Sequence, residues 1–230
     1  LERIFETMNE PVAVCDRPNA TELPPVKGNV EFRHVNFAYE EGRPVLRDIC
    51  LSAAPGESIA LVGPTGAGKT TIVNLLSRFY NIEDGEVLID GHNVMDVTLR
   101  SLRSQMGIML QDSFIFSGTI ADNIRYGKPD ATDEEVRRAA AALHADEFIL
   151  RMKDGFETVV QERGGGLSQG QKQLIAFART LLADPKILVL DEATSSIDSA
   201  TEKLVQQGIE TLLKGRTSFI VAHRLSTIRS

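Results

Sequence analysis

The sequence predicts an α/β fold: a parallel sheet with helices packed on it, a strand-rich section in front and a mostly helical section in the middle. Three observations predict it. The strand-like run Ile59-Ala60-Leu61-Val62 opens onto a glycine-rich stretch, residues 63–70 (GPTGAGKT), after which Ile72, Val73, Leu75 and Leu76 recur at helical spacing. Alternating apolar residues, beginning with Val30, Phe32, Val35, Phe37 and Tyr39, crowd the part of the chain before and just after that stretch. From Ile187 onward, strand and helix patterns alternate, which is the mark of a parallel sheet covered by helices.

The glycine-rich stretch carries the clearest chemistry. Gly63, Pro64, Thr65, Gly66, Ala67, Gly68, Lys69 and Thr70 fit G-x-x-x-x-G-K-[ST], a phosphate loop in the strand–loop–helix context that the pattern requires. Glycines let successive N–H groups turn inward and form an anion site at a helix N-terminus. Lys69 is then placed to reach the β- and γ-phosphates, and the Thr70 hydroxyl to ligate Mg²⁺.

Composition bounds the rest. At 230 residues, with 42% hydrophobic and 25% charged, the chain is an ordinary globular protein with a sizeable core. A net charge of −7 disfavours a broad nucleic-acid surface. Cys15 and Cys50 form no disulfide framework and show no metal-ligand spacing along the chain. No run is long enough to span a bilayer as a helix, so a membrane role requires a partner or a further segment.

In chain order, Leu1, Ile4, Phe5 and Met8 share one face of an amphipathic helical pattern, and Pro11, Pro18, Pro24 and Pro25 mark an extended linker. The strand begun at Val30 has an expected irregularity at Arg33-His34. Further strands are expected at residues 49–53, 86–89 and 106–110, with Asp90-Gly91 as a turn. Residues 111–184 read as mostly helical, with capping boxes at Thr132-x-x-Glu135 and Ser168-x-x-Gln171; the helix after the second box is apolar enough to be buried. A strand at 187–190 runs into the adjacent carboxylates Asp191 and Glu192. A helix capped by Ser199-x-x-Glu202 and closed by Gly215, then a strand at 217–222, complete the pattern. Since open parallel sheets bind ligands at the carboxyl ends of their strands, Asp191 is placed to hold Mg²⁺ through its shell and Glu192 to polarise an attacking water.

With these residues in view, the chain resembles the nucleotide-binding domain of an ABC transporter of the exporter type, as in multidrug and lipid exporters. Phe37-Ala38-Tyr39 resembles the aromatic loop, Gln111 the Q-loop glutamine, Leu167-Ser168-Gln169-Gly170-Gln171 the LSGGQ signature, and Gln161-Glu162-Arg163-Gly164 the exporter loop before it. Residues 193–198 resemble the D-loop and His223 the switch histidine. Taken singly, Tyr39 reads sooner as a strand aromatic and His223 as structural, and Ser168 can be no more than a helix cap; their joint order carries the resemblance.

The resemblance implies a P-loop NTPase core with a parallel sheet, an N-terminal antiparallel β-subdomain and an inserted α-helical subdomain at about 112–184. It implies a linker at 1–28 from a preceding transmembrane domain, an ATPase domain at 29–230, and a C-terminal end cut short of the family's usual length. It further implies ATP and Mg²⁺ as ligands. ATP would be held by Tyr39, residues 63–70 and Thr71, and by Ser168, Gly170 and Gln171 acting on a second domain's nucleotide. Mg²⁺ would be held by Thr70, Gln111 and Asp191, and hydrolysis carried by Glu192, His223 and Gln111. The expected partner is a second ABC ATPase domain, identical or different, paired head to tail around ATP, on the cytoplasmic face of a membrane and with no nucleic acid. One departure stands out: Gln169 occupies the first glycine position of the signature. Two other readings stay open at this level, a soluble ABC-type switch acting on nucleic acid and a separate ATPase subunit of an importer.

Overall fold

The computed structural model describes residues 5, 12–109, 114–161, 164–192 and 199–222. The chain divides into two compact units, residues 1–52 with 65–103, and residues 53–64 with 104–230.

The first unit is built on a four-stranded sheet in the order β2-β1-β4-β5, comprising β1 (Val30–Ala38), β2 (Pro44–Ala53), β4 (Asp84–Ile89) and β5 (His92–Asn93). β1 and β4 run antiparallel, from Val30 opposite Ile89 to Asn36 opposite Asp84, and the register slips between Arg33 and Asn36. That slip is the irregularity expected at Arg33-His34. His34 sits there at φ 50, the left-handed conformation of a bulged strand residue. β2 begins at Pro44, five residues before the expected start, because its first half alternates weakly and is only partly buried.

This unit also contains α1 (Lys69–Leu76) and the short α2 (Leu99–Arg103). α1 buries Val73, Leu75 and Leu76, and β1 buries Val30, Phe32 and Val35. The Asp90-Gly91 turn is present, with both residues at positive φ as a tight hairpin turn demands. The Asp90 carboxylate also accepts from the backbone N–H groups of Lys27, Gly28 and Asn29. Leu23 and Val26 are buried, and the Leu23 N–H donates to Ser101 Oγ at 2.8 Å, so the proline-marked segment is bonded into the first unit over this stretch.

Gly85 shows what the bulge requires. Its φ is 87°, and a Cβ there would stand 2.5 Å from the His34 carbonyl oxygen and 2.6 Å from Val35 Cα. Gly85→Ala therefore forces both a strained backbone and a collision with main chain. We expect it to lower unfolding free energy by about 2–4 kcal/mol, read as a drop in denaturant midpoint at unchanged slope.

The second unit holds a parallel sheet in the order β3-β10-β9-β6, where β3 is Ser58–Leu61, β6 Met106–Met109, β9 Ile187–Glu192 and β10 Thr217–Ala222. β9 is buried throughout Ile187–Leu190, as expected for a strand covered on both faces. The middle section is mainly helical, as expected: α3 (Ile120–Arg125), α4 (Asp133–Ala141), α5 (Asp146–Ile149) and α6 (Gln169–Ala183). It also contains a two-stranded ribbon, β7 (Gly118–Thr119) with β8 (Val159–Val160). α7 (Ser199–Leu213) precedes β10. Ile124, Leu143, Leu174, Phe177, Leu188 and Val205 share one core that joins these helices to the sheet.

Both expected capping boxes are hydrogen-bonded. The Glu135 N–H donates to Thr132 Oγ1 while the Thr132 N–H donates to Glu135 at 2.8 Å. These contacts, led by the bond from Lys128, hold the Glu135 carboxyl down to about 2. Ser168 and Gln171 exchange the equivalent pair of bonds at 3.0 and 3.2 Å. A third box, Thr119 with Asp122, starts α3. No helix among the described residues is long and apolar enough to cross a membrane.

Candidate functional site

The phosphate loop leaves the carboxyl end of β3 and enters α1. Gly63, Gly66 and Gly68 all take positive φ. Gly68 is the N-cap residue of α1, at φ 89 and ψ 6, and a Cβ there would lie 2.6 Å from Leu46 Cδ2. A larger residue at this point would be strained by the left-handed backbone and would have to displace the Leu46 side chain. Residues 63–67 are exposed, Lys69 is only 9% exposed, Thr70 is exposed and Thr71 is buried.

The start of α1 differs from those of α4 and α6. Those two are closed by capping boxes, whereas α1 has no side-chain cap and no acidic residue in its first turn. A helix start with no capping side chain and no acid in its first turn, and with a lysine as its first residue, is chemically suited to an external anion. The residues thus fit a nucleotide phosphate chain. The Thr70 hydroxyl and the Asp191 carboxylate are hard oxygen donors of the type Mg²⁺ takes.

Tyr39 follows β1 directly. Its hydroxyl lies 3.0 Å from Thr71 Oγ1 and accepts from Asn74 Nδ2 at 3.4 Å. Its ring packs edge-on against Phe37 at 5.0 Å and Tyr80 at 4.9 Å while remaining 46% exposed. Thr71, Asn74 and Tyr80 thereby hold the aromatic in place, a set that the sequence reading left out apart from Thr71. The signal lies in strand-to-helix pairing and is invisible to linear spacing.

At the sheet's carboxyl edge the register aligns the other expected groups. Leu61 of β3 is opposite Val221 of β10, Val221 is opposite Asp191 of β9, and Ala222 is opposite Glu192. Met109 of β6 is opposite Leu190. The exit of β3 toward Gly63 is therefore two strand spacings, about 10 Å, from Asp191. Asp191 is partly buried, and its Oδ1 is shielded from solvent. Glu192 is the last residue of β9. Gln111 and His223 lie outside the described residues, two positions after the end of β6 and one after the end of β10. Residues 193–198 and the pair Glu162-Arg163 also lie outside them.

The signature stretch forms the start of α6. Ser168 caps it, Gly170 is buried and Gln169 is exposed as the first helical residue. The replaced glycine position thus points its side chain to solvent, and the Ser168–Gln171 box is intact beside it.

A separate surface in the same unit is aromatic. Phe114 packs against Phe116 at 4.9 Å, Phe116 stacks on Tyr126 at 4.6 Å, and all three are exposed. The Arg179 guanidinium lies 5.3 Å from the Phe116 ring centre, held by the carbonyls of Asn123 and Phe114, and burial lowers its pKa.

Comparison with known proteins gives the chain's family. The profile of the ABC transporter family matches residues 46–195. The chain is 55% identical over 228 residues to YknV, an ABC transporter ATP-binding protein of Bacillus subtilis, covering 99% of this chain and 38% of that protein. It is 54% identical to a fatty acid ABC transporter ATP-binding/permease protein of Mycobacterium bovis, covering 99% of this chain and 36% of the relative. The structure of a bacterial Atm1-family ABC exporter with ATP bound superposes with a TM-score of 0.89 at 42% identity, covering 99% of this chain and 40% of that one. The chain spans well under half the length of these relatives. The chain belongs to the ABC transporter family.

Proposed function

We propose that this chain is the ATP-binding and hydrolysing motor domain of an ABC exporter. The observation that supports this most is the common carboxyl edge of the parallel sheet, where the strand feeding the phosphate loop and the strand ending in Asp191-Glu192 flank β10. In this reading the N–H groups at the start of α1 and the Lys69 ammonium bind the phosphates of ATP, and Tyr39 stacks on the adenine. Mg²⁺, taken by Thr70, Asp191 and Gln111, supplies charge neutralisation on the phosphates. Glu192 accepts a proton from the attacking water, and His223 and Gln111 orient the water and the γ-phosphate.

The second anion site explains the pairing. Ser168, Gly170 and Gln171 begin α6 with N–H groups and a hydroxyl at a helix N-terminus. One chain has no use for two such sites on one nucleotide. The reading therefore pairs this domain head to tail with a second ABC domain, identical or different, so that the signature of each closes on the ATP of the other. The exposed Phe114, Phe116 and Tyr126 suit an apolar partner surface such as the transmembrane domain, which we place on the same polypeptide by analogy with the ATP-binding/permease relatives. That assembly would set the domain at the cytoplasmic face of a membrane. The relatives named for export, including a β-(1→2)glucan export protein of Rhodopseudomonas palustris, favour an exporter over an importer subunit or a nucleic-acid switch.

Ser168→Ala separates capping from catalysis. Loss of the cap alone costs about 1 kcal/mol of stability. If Ser168 also serves the partner's nucleotide, ATP turnover falls by at least about tenfold while the variant stays folded, a loss beyond one weak hydrogen bond. Turnover unchanged at equal folding would confine Ser168 to a structural role and remove the main support for pairing.

A further inference from the structure

We propose that His34, Asp48 and Cys50 form a surface site for a zinc-class divalent cation, clamping the edge strand β2 to β1. The three side chains present one nitrogen, one oxygen and one sulfur ligand atom, all within 4.8 Å of one another. His34 Nδ1 stands 2.7 Å from Asp48 Oδ1 and 3.6 Å from Cys50 Sγ. Ligand nitrogen and sulfur on a tetrahedral zinc, at bond lengths of about 2.0 and 2.3 Å, stand about 3.6 Å apart, so that edge of the site already has coordination geometry. The nitrogen–oxygen edge is at hydrogen-bond length and must open by about 0.6 Å to reach the separation of about 3.3 Å that two such ligands take. Both side chains are more than two-thirds exposed, which leaves them room to move.

The backbone is shaped to gather these groups. His34 and Asp48 both have φ 50, an uncommon conformation for residues other than glycine, and it occurs at facing points of neighbouring strands. The His34 site is the β1 bulge into which Gly85 fits. Asp48 is fixed by donation of its N–H to Asn36 Oδ1 at 2.7 Å. The His34 N–H points at Cys50 Sγ at 3.3 Å, which holds the sulfur beside the bulge. A nitrogen, sulfur and carboxylate set suits zinc or cobalt better than magnesium or calcium, and with three protein ligands the fourth position is left to water. The absence of metal-ligand spacing in the sequence does not oppose this. His34 comes from one strand and Asp48 and Cys50 from the next, so pairing of β1 with β2 creates the cluster.

The test is a titration of the intact protein, free of nucleotide and with Cys15 replaced by alanine, first with Co²⁺ and then with Zn²⁺. One equivalent of Co²⁺ should produce a thiolate-to-cobalt charge-transfer band, and Zn²⁺ should displace it. His34→Ala and Cys50→Ser, both at exposed positions, should keep their circular dichroism and weaken binding by at least about tenfold. Absence of the band in the parent protein, or a band of equal affinity in either variant, overturns the proposal.

Discussion

Replacing Glu192 by glutamine leaves ATP binding intact and lowers ATP turnover by about a hundredfold or more. The argument is one of position and chemistry. Glu192 ends a strand whose preceding residues are buried, and it lies opposite Ala222 one strand away, at the edge where open parallel sheets take their ligands. Glutamine keeps the shape and the hydrogen-bonding reach of the side chain but cannot accept a proton at neutral pH. Groups acting as general bases contribute about 10² to 10⁴ in rate, so binding and turnover separate cleanly. Near-normal hydrolysis by Glu192→Gln, measured as phosphate release at saturating ATP, would remove Glu192 from that role.

Lys69→Ala has the complementary outcome, a loss of affinity for the nucleotide itself. Lys69 is nearly buried at the first position of α1, whose N-cap makes no side-chain bond and whose first turn carries no acidic residue. Removing the charge deprives the phosphates of a charge-assisted contact worth about 1.5–3 kcal/mol, or about a tenfold to hundredfold rise in Kd. Since the same change also deletes a nearly buried side chain, the readout is ATP binding by calorimetry alongside a thermal melt. Unchanged Kd in a folded variant would mean that the loop does not hold phosphate through this residue.

Much of the fold was legible because local chemistry and tertiary structure agree. The Thr132 and Ser168 boxes, the β1 irregularity and the strand at 217–222 each carry a short-range pattern that the surrounding structure reinforces. What escaped was either too short or non-local. The five-residue α2 and the two-residue strands β5, β7 and β8 are too short for periodicity to register. The Thr119 box uses Asp122 where glutamate or glutamine is the usual signal.

Arg78 looks in sequence like a solvent-facing residue at a helix end, yet it is fully buried. Its Nη1 donates to the carbonyls of Val94 and Val97, and its Nη2 to that of Cys15, while burial lowers its pKa. Those partners are brought together only by the fold of the first unit. The cluster of His34, Asp48 and Cys50 and the anchoring of Tyr39 by Thr71 were hidden for the same reason.

The site residues divide along the same line. Lys69 and Thr70 open α1 and Asp191 and Glu192 end β9, so their places in the fold were readable where sequence pattern and sheet topology coincide. Gln169 was readable as a departure but not in its consequence. Only its placement as the exposed first residue of α6, beside an intact Ser168–Gln171 box, leads to the expectation that the signature still closes on a nucleotide.

The most direct test of the motor reading is the molar mass of the Glu192→Gln protein in solution, by light scattering with and without ATP and Mg²⁺. It is to be run on the chain alone and, where the transporter is built from two different chains, with the other ABC domain added. The account predicts one chain of 25.2 kDa without nucleotide and a pair only when ATP and Mg²⁺ are both present. A mass that stays at one chain while ATP is bound, in both settings, would contradict it.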